Sequence, residues 1–166
     1  AFDENAGVCN SGLQIGCDTG TKPDLTMPGS GLTDMANNPL AVFGAGGVIE
    51  ADNAPPKLMG TAVPNNVTVQ IVLSENVASA TAECGPGSSQ PGVSCSTRYT
   101  INNGLTVNSA IMLGGAGVNG PVIVLTTSLQ SMSTLYTITI GSGIVQDLAG
   151  QAITVSNNTV TFTGVI

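Results

Sequence analysis

VTVQIVL, residues 67–73, decides the fold. Read as an extended chain, it places Val67, Val69, Ile71 and Leu73 on one face and Thr68 and Gln70 on the other, because successive strand side chains point to opposite sides. Its β-branched residues suit a pleated, half-buried surface. Similar stretches follow: LTVNSAIML (105–113), PVIVLTT (121–127), LYTITI (135–140), QAITV (151–155) and TVTFTGV (159–165). Gly, Pro, Asn and Ser punctuate the gaps, and no stretch of helical period separates them, so the crossovers of a parallel sheet are lacking. The expectation is an all-β antiparallel sandwich over residues 55–166, with Val67, Val69, Ile71, Leu73, Val124, Tyr136, Ile138, Ile140 and Phe162 in its core.

The composition narrows function. Ten acids, three bases and no histidine give a net charge of −7. Nucleic-acid binding needs clustered Lys and Arg, and an anionic membrane surface would repel this chain. No apolar run reaches the roughly 18 residues of a spanning helix, so no membrane span is expected. The chain opens AFDENAGVC without Met, read here as a mature N-terminus left by a cleaved signal peptide, which predicts an extracellular or cell-surface location. Four cysteines, Cys9, Cys17, Cys84 and Cys95, allow three connectivities. The simplest closes two local loops, Cys9 with Cys17 and Cys84 with Cys95. A zinc site is the rival, but zinc usually wants Cys-x2-Cys spacing and often His. Disulfides imply an oxidising compartment.

No catalytic constellation emerges. Without His, the commonest base is missing, and neither Lys22 nor Lys57 sits in a nucleophile motif; the chain reads as no enzyme and needs no organic cofactor. Calcium is the one metal the sequence admits. Asp34 and Asp147 sit in turns and Asp52 lies just before Pro55-Pro56. The competing role of such aspartates is to bond their own turn backbone. Two loops, ECGPGSSQPGVSC (83–95) and LGGAGVNGP (113–121), read as solvated connectors or as ligand contacts. Asn66 and Asn157 each begin an N-glycosylation sequon, a pattern that arises easily by chance in a chain so rich in Asn and Thr.

GSGLTDMANNPLAV from Gly29 nearly repeats as GSGIVQDLAGQAITV from Gly141. The two aspartates lie about one immunoglobulin-like domain apart. NAPPKLMGTAVPNNVTVQIVLSENV (53–77), followed by LYTITIGSGIVQDLAGQAI (135–153), resembles the bacterial Ig-like domains of surface-layer and tandem-repeat cell-surface proteins. That family has a Pro-Pro lead-in, a strand ending Phe-Ser-Glu-x-Val, a Tyr-Thr-x-Thr strand and an Asp-Leu-Ala-Gly-Asn turn. Here these read Pro55-Pro56, Leu73 to Val77, Tyr136 to Thr139 and Asp147 to Gln151, with Leu73 and Gln151 as departures. The resemblance covers roughly residues 54–166 and implies an Ig-like fold with a spacer, coat or stalk role. In tandem arrays of this family, a domain's last turn and strand precede the next Pro-Pro. DMANNPLAVFGAGGVIEADNAPP (34–56) follows that order, so residues 29–54 read as a partial repeat of a domain ending.

Residues 1–54 therefore read as an extended, disulfide-clipped N-terminal arm. About fifty residues sustain little core alone. Leu13, Ile15, Leu40, Val42, Phe43, Val48 and Ile49 need cover, from the arm's own sandwich or from another molecule. Two functions compete. One is a structural subunit of an extracellular filament or cell-surface assembly, a homopolymer joined by strand addition from the arm. The other is an adhesive or ligand-binding module of a bacterial cell-surface protein, recognising its ligand through loops.

Overall fold

The computed structural model describes residues 35–38 and 54–166. Among the described residues seven strands run in chain order: β1 (Leu58–Asn65), β2 (Thr68–Val77), β3 (Tyr99–Ile101), β4 (Val107–Met112), β5 (Gly120–Thr127), β6 (Leu135–Ile140) and β7 (Thr159–Thr163). One helical turn, α1 (Ser79–Ala82), follows β2. The strands form two antiparallel sheets, a four-stranded one ordered β1-β2-β5-β4 and a three-stranded one ordered β3-β6-β7. Their inward side chains join one hydrophobic cluster: Val69, Ile71, Leu73, Ala110, Met112, Ile123 and Leu125 from the first sheet, and Tyr99, Tyr136, Ile138, Ile140 and Phe162 from the second. That architecture is compatible with a β-sandwich.

The inward face of β2 is the one its alternation predicts, but two core assignments need correction. Val67 lies in the tight turn before β2, over a third exposed; its N–H donates to Asn65 Oδ1 at 3.0 Å. Val124 points to the outer side, opposite Gln70, while Ile123 and Leu125 stand opposite Ile71 and Val69 and fill the core. The run VIVL at 122–125 is continuously apolar, so alternation could not give its parity. QAITV is no strand either. Ile153 is buried, but its segment turns back on the residues before it, with Gly143 N–H donating to Ile153 O at 3.0 Å and Ile153 N–H to Val145 O at 2.9 Å. Two real strands carried little alternation: β1, which contains Gly60 and an edge-compatible Pro64, and the three-residue β3.

The sheet registers define two ends. Call distal the end where residues 65–67, 102–106 and 128–134 turn, and proximal the end where β1 begins and where residues 78–98, 113–119 and 141–158 lie. Hydrogen bonds to backbone carbonyls knit the distal turns together. Gln130 N–H donates to Asn66 O at 2.9 Å, Ser128 N–H to Thr106 O at 2.9 Å, and Asn103 Nδ2 to Leu135 O at 3.0 Å. Tyr136, at the start of β6, stacks on Phe162 with centroids 5.2 Å apart and accepts the Ser131 N–H on its hydroxyl at 2.9 Å. Tyr136→Phe keeps the ring and removes the acceptor, and should cost about 1 kcal/mol in a denaturant titration.

Sheet edges are a liability when left bare. At β4, Cys84 and Ala110 exchange N–H···O bonds of 3.1 and 2.9 Å, covering the outer edge. Gly85 follows at φ +75°, where a Cβ would lie 2.3 Å from the Asn108 carbonyl oxygen, so only glycine fits. On the opposite flank β1 runs beside β7: Leu58 N–H donates to Asn157 O at 2.9 Å and Thr61 Oγ1 to Thr161 O at 3.3 Å. The three-stranded sheet turns a row of threonines outward, with Thr139 opposite both Thr100 and Thr159, and Thr137 opposite Thr161.

Candidate functional site

Polar chemistry concentrates at the proximal end, around Glu83. α1 delivers this residue to the point where the 83–95 loop leaves the edge of β4, and its side chain is fully buried. Its Oε2 accepts the Ser89 N–H at 2.7 Å, its Oε1 accepts the Met112 N–H at 3.0 Å, and both oxygens receive the Gly117 N–H at 3.1 Å. Burial alone would push its pKa up. Hydrogen bonds from Ser89, Met112 and Gly117 outweigh that and hold the carboxyl below the ordinary carboxylate value. One charge thus fixes both loops, 83–95 and 113–119, onto β4. A carboxylate so saturated with donors and so weakly basic is an anchor rather than a proton acceptor.

The carbonyls at the end of α1 are met by side chains from beyond the loop. Arg98 Nη1 donates to Glu83 O at 2.6 Å and Nη2 to Ala80 O at 3.0 Å, and the Tyr99 hydroxyl donates to Ala82 O. These are the orphan acceptors every helix end leaves. Tyr99 is buried, and that burial pushes its phenol well above the usual tyrosine range.

Cys84 and Cys95 form a disulfide with Cα atoms 5.2 Å apart, closing the loop between them. Among the described residues the bond joins the predicted local pair, and such bonds are typical of extracellular proteins. Closing a loop this short should contribute about 2–3 kcal/mol by restricting the unfolded chain. Reduction should lower the melting temperature by several degrees, which calorimetry with and without reductant would register.

Of the other residues singled out in the sequence, Cys9, Cys17, Leu13, Ile15, Leu40, Val42, Phe43, Val48, Ile49, Asp34 and Asp52 lie outside the described residues. Asp147 is buried in the turn that closes residues 143–153. Its N–H donates to Gln151 O at 3.0 Å and its Oδ1 accepts the Gln151 N–H at 2.7 Å, the turn-bonding role weighed against calcium. Its Oδ2 has no hydrogen-bond partner. Among the described residues no three His, Cys, Asp or Glu side chains are grouped to hold a metal. Asn66 is half-buried in the distal turn, and Asn157 Nδ2 donates to Thr154 Oγ1 at 3.4 Å. No helix among the described residues is long and apolar enough to cross a membrane.

The repeated phrase can be followed into geometry. Leu148 and Ala149 form a turn, and Gly150 after them has φ 88°. Met35 and Ala36 likewise form a turn, and Asn37 after them, aligned with Gly150, has φ 64°. Asn is the residue other than Gly that most readily accepts this left-handed conformation. Met35 and Leu148 are both exposed.

Sequence reasoning missed Glu83 as a site. A signal was present, since residues 54–166 hold just Lys57, Glu75, Glu83, Arg98 and Asp147 as charges, so each one calls for an explanation. Compared with known proteins, the chain matches no family model and no curated sequence.

Proposed function

We propose that residues 55–166 form an Ig-like β-sandwich of the kind found in bacterial surface-layer and tandem-repeat cell-surface proteins. In this reading the chain is a structural subunit of an extracellular filament or surface assembly, joined to its neighbours by strand addition from the N-terminal arm. The strand orders β1-β2-β5-β4 and β3-β6-β7 support the fold, because they match the ABED and CFG sheets of constant-type immunoglobulin domains. Tyr136 supports it too. A tyrosine near the start of the sixth strand that bonds backbone a few residues upstream is the tyrosine corner of that class.

The observation that carries the functional reading is the second turn, at Met35 to Asn38. It has the backbone of the turn after Asp147, including the left-handed residue. Counted from the aspartate, GGVIEA (46–51) stands where TVTFTG (159–164), containing β7, stands in the sandwich. In this reading the arm carries a sequence patterned like a last strand, additional to the seven strands of the described residues. Such a strand satisfies its backbone by adding to an edge, and addition to a neighbour gives a head-to-tail polymer.

Removing residues 1–52 tests this. The shortened chain should keep its β circular-dichroism spectrum and cooperative melt but fail to polymerise, and added arm peptide should block polymerisation of the full chain. Polymerisation without the arm would overturn the reading. So would loss of folding on truncation with a monomeric full-length chain, and a monomer that binds glycan or matrix would favour the adhesive module.

A further inference from the structure

We infer that Asn103 is a site of spontaneous deamidation. In the folded chain the backbone nitrogen of Gly104 converts it to aspartate and isoaspartate, and the exchange unties the distal turn 102–106 from β6. The inference does not depend on the assembly reading.

Its first basis is chemical. Asparagine is a labile residue, most of all before glycine, which has no side chain to shield its own backbone nitrogen. The sequence holds two such pairs, Asn103-Gly104 and Asn119-Gly120. In the reaction the Gly104 nitrogen attacks Asn103 Cγ and gives its proton to water or hydroxide. A nitrogen–Cγ bond forms, the Cγ–Nδ2 bond breaks, and ammonia leaves. Water then opens the cyclic imide at either carbonyl. One opening yields aspartate; the other yields isoaspartate, with the main chain running through the former side chain. Water enters and ammonia departs, with no oxidant or reductant.

The second basis is that the fold treats the two pairs differently. Asn102 to Leu105 form a turn closed by the Leu105 N–H, which donates to Asn102 O at 3.4 Å, with φ 56° at Asn103 and 75° at Gly104. Positive φ at both central residues is the type I′ pattern that favours Asn-Gly. Asn103 and Gly104 are both exposed, and beyond its chain neighbours no atom lies within 4 Å of where a Gly104 Cβ would stand. The Gly104 N–H donates to no described residue. One exposed bond, Nδ2 to Leu135 O at 3.0 Å, holds the Asn103 amide, and exposed bonds open at little cost. Asn119 is tied into the sandwich instead. Its Oδ1 accepts the Ser79 N–H at 3.0 Å in partly buried surroundings. Gly120 begins β5 opposite Val77, with Met112 Cε 3.6 Å from where its Cβ would stand. The Gly120 nitrogen reaches Asn119 Cγ only when that end of β5 opens.

Conversion changes the distal end. Turns 65–67, 102–106 and 128–134 hold no charged residue, so the new carboxylate is the first charge there. It has no N–H to give Leu135 O and sets an anionic oxygen beside that acceptor. Isoaspartate also adds a main-chain carbon to a two-residue turn. Either product loosens Leu135, the residue before Tyr136 and its stack on Phe162.

The test holds the full-length chain for weeks at mildly alkaline pH, folded and, in parallel, unfolded in guanidinium chloride. Peptide mapping by tandem mass spectrometry reads the amide-to-acid exchange at each asparagine, and an isoaspartate-specific methyltransferase labels the rearranged product. In denaturant both pairs should convert alike. In the folded chain position 103 should convert while position 119 lags by about tenfold or more, because Asn119 reacts only through local opening of β5. Isoaspartate should be the larger product at 103, the mark of the imide. The variant Asn103→Asp, made directly, should melt a few degrees below the parent, having lost the bond to Leu135 O. Position 119 converting first, position 103 unchanged while the unfolded chain converts, or aspartate as the sole product would overturn the inference. An Asn103→Asp variant that melts like the parent would overturn the untying of the turn.

Discussion

Replacing Ile71 by Asp should leave the chain without a cooperative unfolding transition. Ile71 is fully buried in β2, an interior strand of the four-stranded sheet, with Thr61 opposite it on β1 and Ile123 on β5. None of the charged residues of 54–166 stands in register with it to pair a new carboxylate. The substitution removes a side chain whose burial contributes about 2–3 kcal/mol and adds the cost of an unpaired buried charge, several kcal/mol more. A domain of this size has about 5–15 kcal/mol in all. Asn76→Asp, at the exposed position near the end of the same strand, should melt within a few degrees of the parent. If the Ile71 variant melts like the parent, the inward face of β2 has been assigned wrongly.

Glu83→Ala should destabilise the fold by about 4 kcal/mol, because a buried charge-assisted network loses its acceptor and the Met112 N–H is left buried and unpaired. Glu83→Gln keeps one acceptor oxygen and should cost about half as much. The two variants also differ from the parent in their response to acid. The folded-state pKa of Glu83 lies below its unfolded value, so its stabilisation is fully present above the unfolded carboxylate value of about 4.3 and is lost as pH falls through the folded pKa. Urea titrations from pH 7 downward should show the parent approaching the Gln variant as the acid range is entered. A constant gap down to the acid limit would show that the carboxylate's charge contributes nothing.

Much of the fold was legible because strand alternation is a local property. VTVQIVL and LYTITI each state their inward face, and the structure uses both faces as stated, apart from Val67 in its turn. VIVL was ambiguous for a physical reason, since a strand apolar on both sides carries no parity. QAITV misled because a buried Ile in an alternating stretch looks the same whether it pairs in a sheet or folds back on its own turn. The scarcity of charge in residues 54–166 pointed to Glu83 itself, but its partners were illegible, because the donors come from Ser89, Met112 and Gly117, brought together by two loops, and backbone donors leave no mark on composition. The Cys84–Cys95 pairing was legible because the loop is short and local.

The central claim, that this sandwich is built to associate with copies of itself, is tested most directly by sedimentation velocity on the purified full-length chain. The measurement should be made at neutral pH with the disulfide intact, over a hundredfold range of concentration, with electron microscopy of the same samples. The account predicts a mass distribution that moves to large species as concentration rises, and filaments or ordered rows on the grid. A single species at the monomer mass of 16.5 kDa across the whole range, with an empty grid, would contradict it.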